Sequence, residues 1–470
     1  MTSAPPPKTR QELYERIARG GRDAVTLEEM IRLGFWSADA PMAGDPDGTA
    51  RLVELRRRLD ALRVRANQLT DMARVAAEQR AARMAASRAR RTETKQRRLA
   101  QREAAKAQTA EREAHAVAYL GAGVSVGLGP TADRRVSDAA ALGRDQLPVL
   151  HDAAAVAAAL QLSLGALRFL AYSREVSTVT QYRRFSIAKK TGGVRVISAP
   201  RARLKAAQHW ILGHILDRVA LAEPAHGFRA GRSIVSNAAP HVGAALVINV
   251  DLRDFFPTVT YRRVRGLFRK LGYGEEVATV LALLCSEPET TTASLDGVTY
   301  YVARGERHLP QGAPTSPAIT NLLCRRLDAR LAGFARKHGF TYTRYADDLT
   351  LSARDPGADI GAALAVLHKV ARAEGWEVHP DKVRVQRQGS RQEVTGVIVN
   401  ERLGVDRRVL RRFRALLHQI GKTGPAGKHW NGNPDVLGAA AGFASFVRMV
   451  DPTRGAALQA EVAALRARHP

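Results

Sequence analysis

A chain of 470 residues is too long for one hydrophobic core and predicts two or three domains. Its two cysteines, Cys285 and Cys324, exclude a disulfide framework and a cysteine-based zinc site, and no apolar run approaches the roughly twenty residues of a membrane helix. Lys and Arg total 73 against 45 Asp and Glu, a net charge of +28, and the natural partner of such a surface is a polyanion, nucleic acid first.

In chain order, "MTSAPPPKTRQELYERIARGG" lacks the apolar segment of a signal peptide, so the cytoplasm is the expected location. Residues 1–48 carry Pro and Gly clusters and read as loosely ordered, apart from a helical stretch around Glu12 to Ala18. From Thr49 to Leu120 there is no Gly or Pro, which predicts long helix. Its first part carries a heptad pattern, Leu52, Leu59, Ala66 and Ala73 on one row and Leu55, Leu62, Leu69 and Ala76 on the other, as in a short coiled coil or helical hairpin. From Arg74 to Ala114 the stripe thins to alanine and cations far outnumber acids. Such a helix is either a solvated basic face or one laid against nucleic-acid phosphates. "LGAGVSVGLGP" (120–130) has the wrong spacing for a dinucleotide fingerprint and reads as a linker or turn. Residues 149–173 have helical periodicity and open the second domain.

Beyond residue 180 the texture changes to short strands and turns. "RRFSIAKKTGGVRVISAP" reads as strand, Gly-Gly turn, strand, and "LKAAQHWILGHILDRV" as an amphipathic helix. "ALVINVDLRDFFPTVT" is a buried strand running into a turn at Pro257. "QGAPTSPAITNLLCRRLDARLAGFARKHG" is a loop and a long helix, "YTRYADDLTLSA" a β-hairpin, "AALAVLHKVARAEGW" a helix and "VTGVIVN" a strand. From Val405 the chain is mainly helical.

The adjacent acids Asp347 and Asp348 at a hairpin tip repel one another and have no structural purpose there. Asp251 ends the apolar run "ALVINV". If the two strands are neighbours in one sheet, three carboxylates converge and need a cation. Mg²⁺ suits carboxylate and phosphate oxygens, and two such ions roughly 4 Å apart form the phosphoryl-transfer site of polymerases.

"KKTGGVRVISAP", "DLRDFFPTV", "LPQGAPTSPAITNLL" and "YADD", in that order, resemble the motifs of reverse transcriptases over about residues 165–460. The resemblance implies an α+β fold in the form of a right hand: fingers, a palm with an antiparallel sheet backed by two helices, and a helical thumb, preceded by a helical extension. The implied boundaries are 1–145 for the basic extension, 146–400 for fingers and palm, and 401–470 for the thumb. Within 146–400, the fingers would span about 180–245 with part of 262–310.

Carried over where residues match, Asp251 and Asp347 bridge two Mg²⁺ ions with Asp348 beside them. Phe256 falls where the family keeps an aromatic gate against a ribose 2′-hydroxyl, and Phe255 is the more natural core residue of the pair. The backbone amides of Asp254 and Phe255 touch the triphosphate of the incoming dNTP. Lys189 and Arg195 grip its β- and γ-phosphates, Gln311 lines the nucleotide pocket, and Lys382 is the candidate general acid for pyrophosphate. Arg411, Arg412 and Arg414 lie on a helix that either tracks the template–primer groove or faces solvent.

Two further strings, "NAAPH" (Asn237 to His241) and "VTG" (Val394, Thr395, Gly396), resemble signatures of bacterial retron reverse transcriptases, and the basic extension resembles the myxobacterial branch. In that family these strings mark regions that recognise the cognate noncoding RNA. Taken singly, His241 also reads as a core histidine and "VTG" as an ordinary bulge. The resemblance implies copying of that RNA into DNA through a 2′–5′ branch at an internal guanosine. It also implies a stable complex of enzyme and branched product, and a role in phage defence with a separate effector. The alternatives are a group II intron-type enzyme, which carries more chain after the thumb, and a non-catalytic RNA-binding protein, for which this full set of charged residues has no use.

Overall fold

The computed structural model describes residues 6–39, 46–70, 72–115, 117, 119–125, 128, 136–188 and 192–469. The chain divides into two compact units, 1–109 and 110–470. Among the described residues no single helix is long and apolar enough to cross a bilayer.

The first unit is helical. The stretch expected to be loose holds two helices, α1 (Arg10–Gly20), capped by the Thr9 side chain on the Glu12 amide, and α2 (Arg22–Arg32). Composition misleads here because Gly21, at φ 81°, serves as the joint between two helices. The long helical span is α3 (Pro46–Thr70) and α4 (Met72–His115). Leu52, Leu55, Leu59 and Leu62 of the heptad rows are exposed, so no hairpin partner covers them.

The second unit begins its core earlier than the 146 boundary. Val117, Leu120, Val124 and Leu128 are buried with the polymerase core. The start of the glycine stretch expected as a linker is therefore packed: a Cβ on Gly121 would sit 2.3 Å from the Ser173 carbonyl oxygen. Three short helices follow, α5 (Ala139–Arg144), α6 (Ala153–Ala159) and α7 (Leu164–Ala171), each started by an Asp or Ser side-chain cap.

The fingers hairpin is β2 (Tyr182–Ala188) with β3 (Val194–Pro200), preceded by the short β1 (Val176–Ser177). Gly192 and Gly193 both adopt positive φ in its turn, as the Gly-Gly reading requires. α8 (Ala202–His214) and α9 (Ile234–Ala238) lead to β4 (Leu246–Asp251). α10 (Tyr261–Leu271) and α11 (Glu275–Cys285) precede a long ribbon, β5 (Glu287–Leu295) and β6 (Val298–His308), which pairs with β1. Arg184 of β2 binds the Glu287 carboxylate at 2.8 Å, tying the fingers hairpin to the ribbon.

α12 (Ser316–Leu323) and α13 (Arg325–Lys337) lead into β7 (Phe340–Tyr345) and β8 (Asp348–Ala353). α14 (Ile360–Ala373) and β9 (Arg384–Arg387) complete the palm, whose antiparallel sheet runs β7-β8-β4-β9. β4 alternates, as a strand covered on both faces must. Leu246, Ile248 and Val250 enter the core that holds Phe268 of α10, Leu331 of α13 and Leu367 of α14. Val247 faces a second core with β10 (Glu393–Val394), β11 (Val397–Ile398) and the helices α15 (Arg407–Thr423), α16 (Val436–Val450) and α17 (Pro452–Arg468). These three helices are the thumb, and Val394, Val397 and Val399 share their core.

Candidate active site

β4 and β8 are direct neighbours, and their register sets Asp251 opposite Asp348. Asp347 lies in the two-residue turn between β7 and β8, and its carbonyl oxygen accepts the Leu252 amide at 3.0 Å. Pairing thus brings the three acids to one end of the palm sheet. Burial first, then the Asp251 charge, raises the Asp347 carboxyl above its usual range, while Lys382 and Arg195 pull it down. Asp348 keeps an exposed edge, yet lost hydration and the charges of Asp347 and Asp251 push it up to about 7. Lys382 places Nζ 2.8 Å from Asp251 Oδ1, so it is an ion-pair partner of the acid cluster and not a solvated turn lysine.

The negative charge left over is what a divalent cation would take. Among the described residues no three or more His, Cys, Asp or Glu side chains stand close enough together to hold a metal ion between them. The donors are all hard carboxylate oxygens, and burial together with neighbouring aspartate charge raises Asp347 and Asp348, so the donor set fits a hard divalent cation and no soft one.

The turn itself is strained and held. Ala346 sits at φ 57°, a conformation that suits glycine. Gly227 abuts it: a Cβ there would lie 2.6 Å from the Ala346 amide nitrogen. The segment before Gly227 pairs with β7, His226 donating to the Arg344 carbonyl at 2.8 Å and Arg344 to that of Pro224 at 2.8 Å.

Below the turn, the fully buried Arg344 makes two 2.8 Å bonds to Asp328 of α13, one to Asn321 Oδ1 at 2.8 Å and one to the Ala346 carbonyl at 3.1 Å. Tyr342 donates to the same Asp328 at 2.9 Å. None of these positions stood out in the sequence. A charged residue inside a hairpin reads as solvent-facing until the helix that pairs with it is in place. The one available signal was an arginine at a position of β7 that alternation assigns to the core.

Phe255 is buried against Trp376, ring centres 4.8 Å apart, as the core member of the pair. Phe256 is half-buried and lines a groove with Lys205, His209, Phe228, Gly312 and Pro314. Asp254, at φ 45°, is exposed in the turn before it. Gln311 accepts the Ser198 amide at 2.8 Å through its carbonyl, which ties this loop to β3. Gly312 is required there, since a Cβ would meet Ile197 Cγ2 at 2.8 Å. Arg195 lies on β3, paired with Ile187, and its charge reaches Asp347. Lys189 lies outside the described residues.

The two signature strings, far apart in sequence, meet in space. Asn237 Nδ2 donates to Thr395 Oγ1 at 3.4 Å, and that hydroxyl donates to the Ile234 carbonyl at 3.2 Å. Of the five residues named for RNA recognition, three lie inside the fold. Asn237, His241 and Val394 are fully buried. His241 is a core histidine, with Nδ1 2.7 Å from Ser352 Oγ and Nε2 2.8 Å from Thr343 Oγ1, and burial lowers its pKa to about 3. The part left partly open is the turn of β10–β11, where Thr395 (φ 48°) and Gly396 (φ 84°) both take left-handed backbone. Asn249, two residues before Asp251, donates to the Glu393 carbonyl at 2.8 Å and so ties β4 to that hairpin.

Residues 187–399 match the family model described as reverse transcriptase (RNA-dependent DNA polymerase). The retron Mx162 reverse transcriptase of Myxococcus xanthus is 43% identical over 391 residues, covering 77% of this chain and 79% of that one. The retron Mx65 enzyme of the same organism is 45% identical over 315 residues (67% and 72% covered). The retron Ec86 enzyme of Escherichia coli is 35% identical over 277 residues (58% and 79%). With the aspartates of β4 and β8 paired at one sheet end and identity of this extent, the chain belongs to the retron reverse transcriptases and is an RNA-directed DNA polymerase of the myxobacterial type.

Proposed function

We propose that this enzyme copies its own cognate structured RNA into DNA joined to that RNA by a 2′–5′ branch, using Mg²⁺. The observation that carries the reading is the contact between "NAAPH" and the "VTG" turn, fastened through Asn249 to the strand that ends in Asp251. A recognition element tied to the catalytic strand supports a template held in one register with respect to the acids.

Two Mg²⁺ ions, when bound, would lower the pKa of the priming 2′-hydroxyl and offset charge on the triphosphate and the departing pyrophosphate. Asp251 and Asp347 would hold both ions and Asp348 one of them. Lys189 and Arg195 would grip the β- and γ-phosphates, where fixed cations stabilise the charge that develops on the leaving group. Lys382 would leave Asp251 to give its proton to pyrophosphate. Phe256 would close the space that a ribose 2′-hydroxyl needs. The protein would work in the bacterial cytoplasm, remain bound to its product and serve phage defence with a separate effector.

The test is the nucleic acid that co-purifies with the protein. A species that debranching enzyme separates into RNA and DNA is expected, and linear products alone would overturn the branch. Asp347→Asn should lower DNA synthesis at least about a hundredfold, the scale of losing one charge-stabilising group, with RNA affinity kept. Synthesis near the wild-type rate would remove Asp347 from the metal site.

A further inference from the structure

We propose that α3 is a docking strip for an acidic, leucine-bearing helix of another protein. The surface lies in the first compact unit and is independent of the polymerase reading.

The strip starts as a sequence pattern and survives as a surface. Leu52, Leu55, Leu59 and Leu62 alternate spacings of three and four residues, which sets them on one line along the helix, as in the seam of a coiled coil. Each is between 48% and 62% exposed, so among the described residues nothing covers the seam. α1 and α2 meet α3 on a different side. Arg57 reaches Glu28 of α2 at 3.5 Å, and Arg56 donates to the Gly20 carbonyl at 3.3 Å. Val53 and Asp60 are the half-buried positions there. Packing within the unit therefore uses the polar side of α3 and leaves its leucine row in water. Single exposed leucines are ordinary, but a contiguous apolar row marks a place where something binds.

The flanks of the row select the occupant. In a coiled coil the e and g positions beside the a and d seam face the partner's flanks and decide which partner is accepted. With the leucines at a and d, the e positions hold Arg56 and Arg63, and the g positions Arg51, Arg58 and Arg65. All five are exposed. Glu54 and Asp60 fall at c and b, away from the seam, and their pairs with Arg58 (3.1 Å) and Arg63 (3.8 Å) are exposed. Such pairs contribute little and exchange easily for another carboxylate.

This arrangement rejects a second copy of the chain. Two parallel α3 helices would oppose Arg51 to Arg56 and Arg58 to Arg63, and two antiparallel ones would oppose like rows, so arginine meets arginine either way. A helix with Glu or Asp in its own e and g rows meets a cation at each flank. A phosphate backbone would use the arginines and leave the leucines in water. A lipid surface takes a broad apolar face with aromatic residues, whereas this seam is narrow, bounded by charge on both sides and free of aromatic residues.

The probe is a fluorescent synthetic helix of about four heptads with Leu at a and d and Glu at e and g, whose own acids keep it from pairing with itself. Binding to the full-length protein is read by anisotropy at about 0.15 M salt, where long-range attraction is screened. One control peptide carries Lys at e and g. A second keeps the Glu residues and replaces the leucines with Gln, because a protein of net charge +28 attracts any acidic peptide. Wild type is compared with a seam variant (Leu55→Gln, Leu59→Gln) and a flank variant (Arg58→Glu, Arg65→Glu). All four positions are exposed, and Gln and Glu keep helix propensity, which far-ultraviolet circular dichroism checks.

Wild type should bind the probe at least about tenfold more tightly than either control peptide. The seam variant should lose about tenfold or more, the scale of taking two leucines out of an apolar contact. The flank variant should lose affinity for the probe and gain it for the Lys peptide, because its g row now attracts the opposite charge. Equal binding of the leucine-free control would mean that net charge alone acts, and would overturn the proposal. So would equal binding of the Lys peptide, or no binding of the probe. Binding to phosphatidylserine vesicles that the seam variant abolishes would hand the leucines to a membrane instead. A wild-type dimer in sedimentation that the seam variant dissolves would hand them to a second copy. Either result overturns the proposal.

Discussion

At the scale of single residues, adjacent phenylalanines in the turn after β4 take opposite roles. Phe255 goes down onto Trp376, and Phe256 faces the groove. Phe256→Val should therefore relax sugar selection with little loss of stability, raising the ratio of kcat/KM for ribo- over deoxynucleotides by about tenfold or more, a steric difference worth above 1 kcal/mol. An unchanged ratio would move the gate elsewhere. Gly227 is tested by one methyl group. In Gly227→Ala the new Cβ must displace the Ala346 amide, so the aspartate turn moves. Since a misplacement of about 1 Å can cost a hundredfold in rate, kcat should fall by about that factor while RNA binding is kept. Wild-type kcat would show that the turn yields without consequence.

Between elements, buried polar groups join what hydrophobic contact alone would leave loosely registered. Arg344 and Asp328 fasten the β7–β8 hairpin to α13, and His241 joins the turn before β4 to β7 and β8. The histidine carries a signed pH dependence. In the folded protein its pKa is about 3, and in the unfolded chain it returns near 6.5. Below pH 6.5 the unfolded chain therefore binds a proton that the folded one refuses. This contribution is intact above that pH and falls by about 1.4 kcal/mol per unit on the way down. Between pH 6.5 and 5.5 the wild type should lose about 1 kcal/mol more unfolding free energy in urea than His241→Gln does. Parallel losses in the two proteins would show that His241 is not the group that titrates.

For the whole molecule, the division after Thr109 separates a charged helical unit from a complete polymerase core that starts at Val117. Removal of residues 1–109 should leave the thermal midpoint of the polymerase unit within a few degrees. It should also leave synthesis on a short primer–template within about threefold, a shift below 1 kcal/mol. Affinity for RNA should fall and its salt slope should flatten. A collapse of the thermal midpoint would mean that the polymerase core depends on the extension.

Local patterns determined much of this protein. The alternation in "ALVINVD", the hairpin around "YADD" and the Gly-Gly turn each follow from side-chain period and backbone freedom, which are properties of a few neighbouring residues. The meeting of Asp251, Asp347 and Asp348 at one sheet end was legible for the same reason, because acids at strand ends and turn tips have few other uses. Tertiary structure alone decided that Arg344 is buried, since its partner Asp328 comes from another element. It also decided that Asn237 and His241 support their surroundings from inside, and that Gly121 packs against Ser173. Burial and pairing depend on what the rest of the chain brings alongside, and no window of neighbouring residues contains that information.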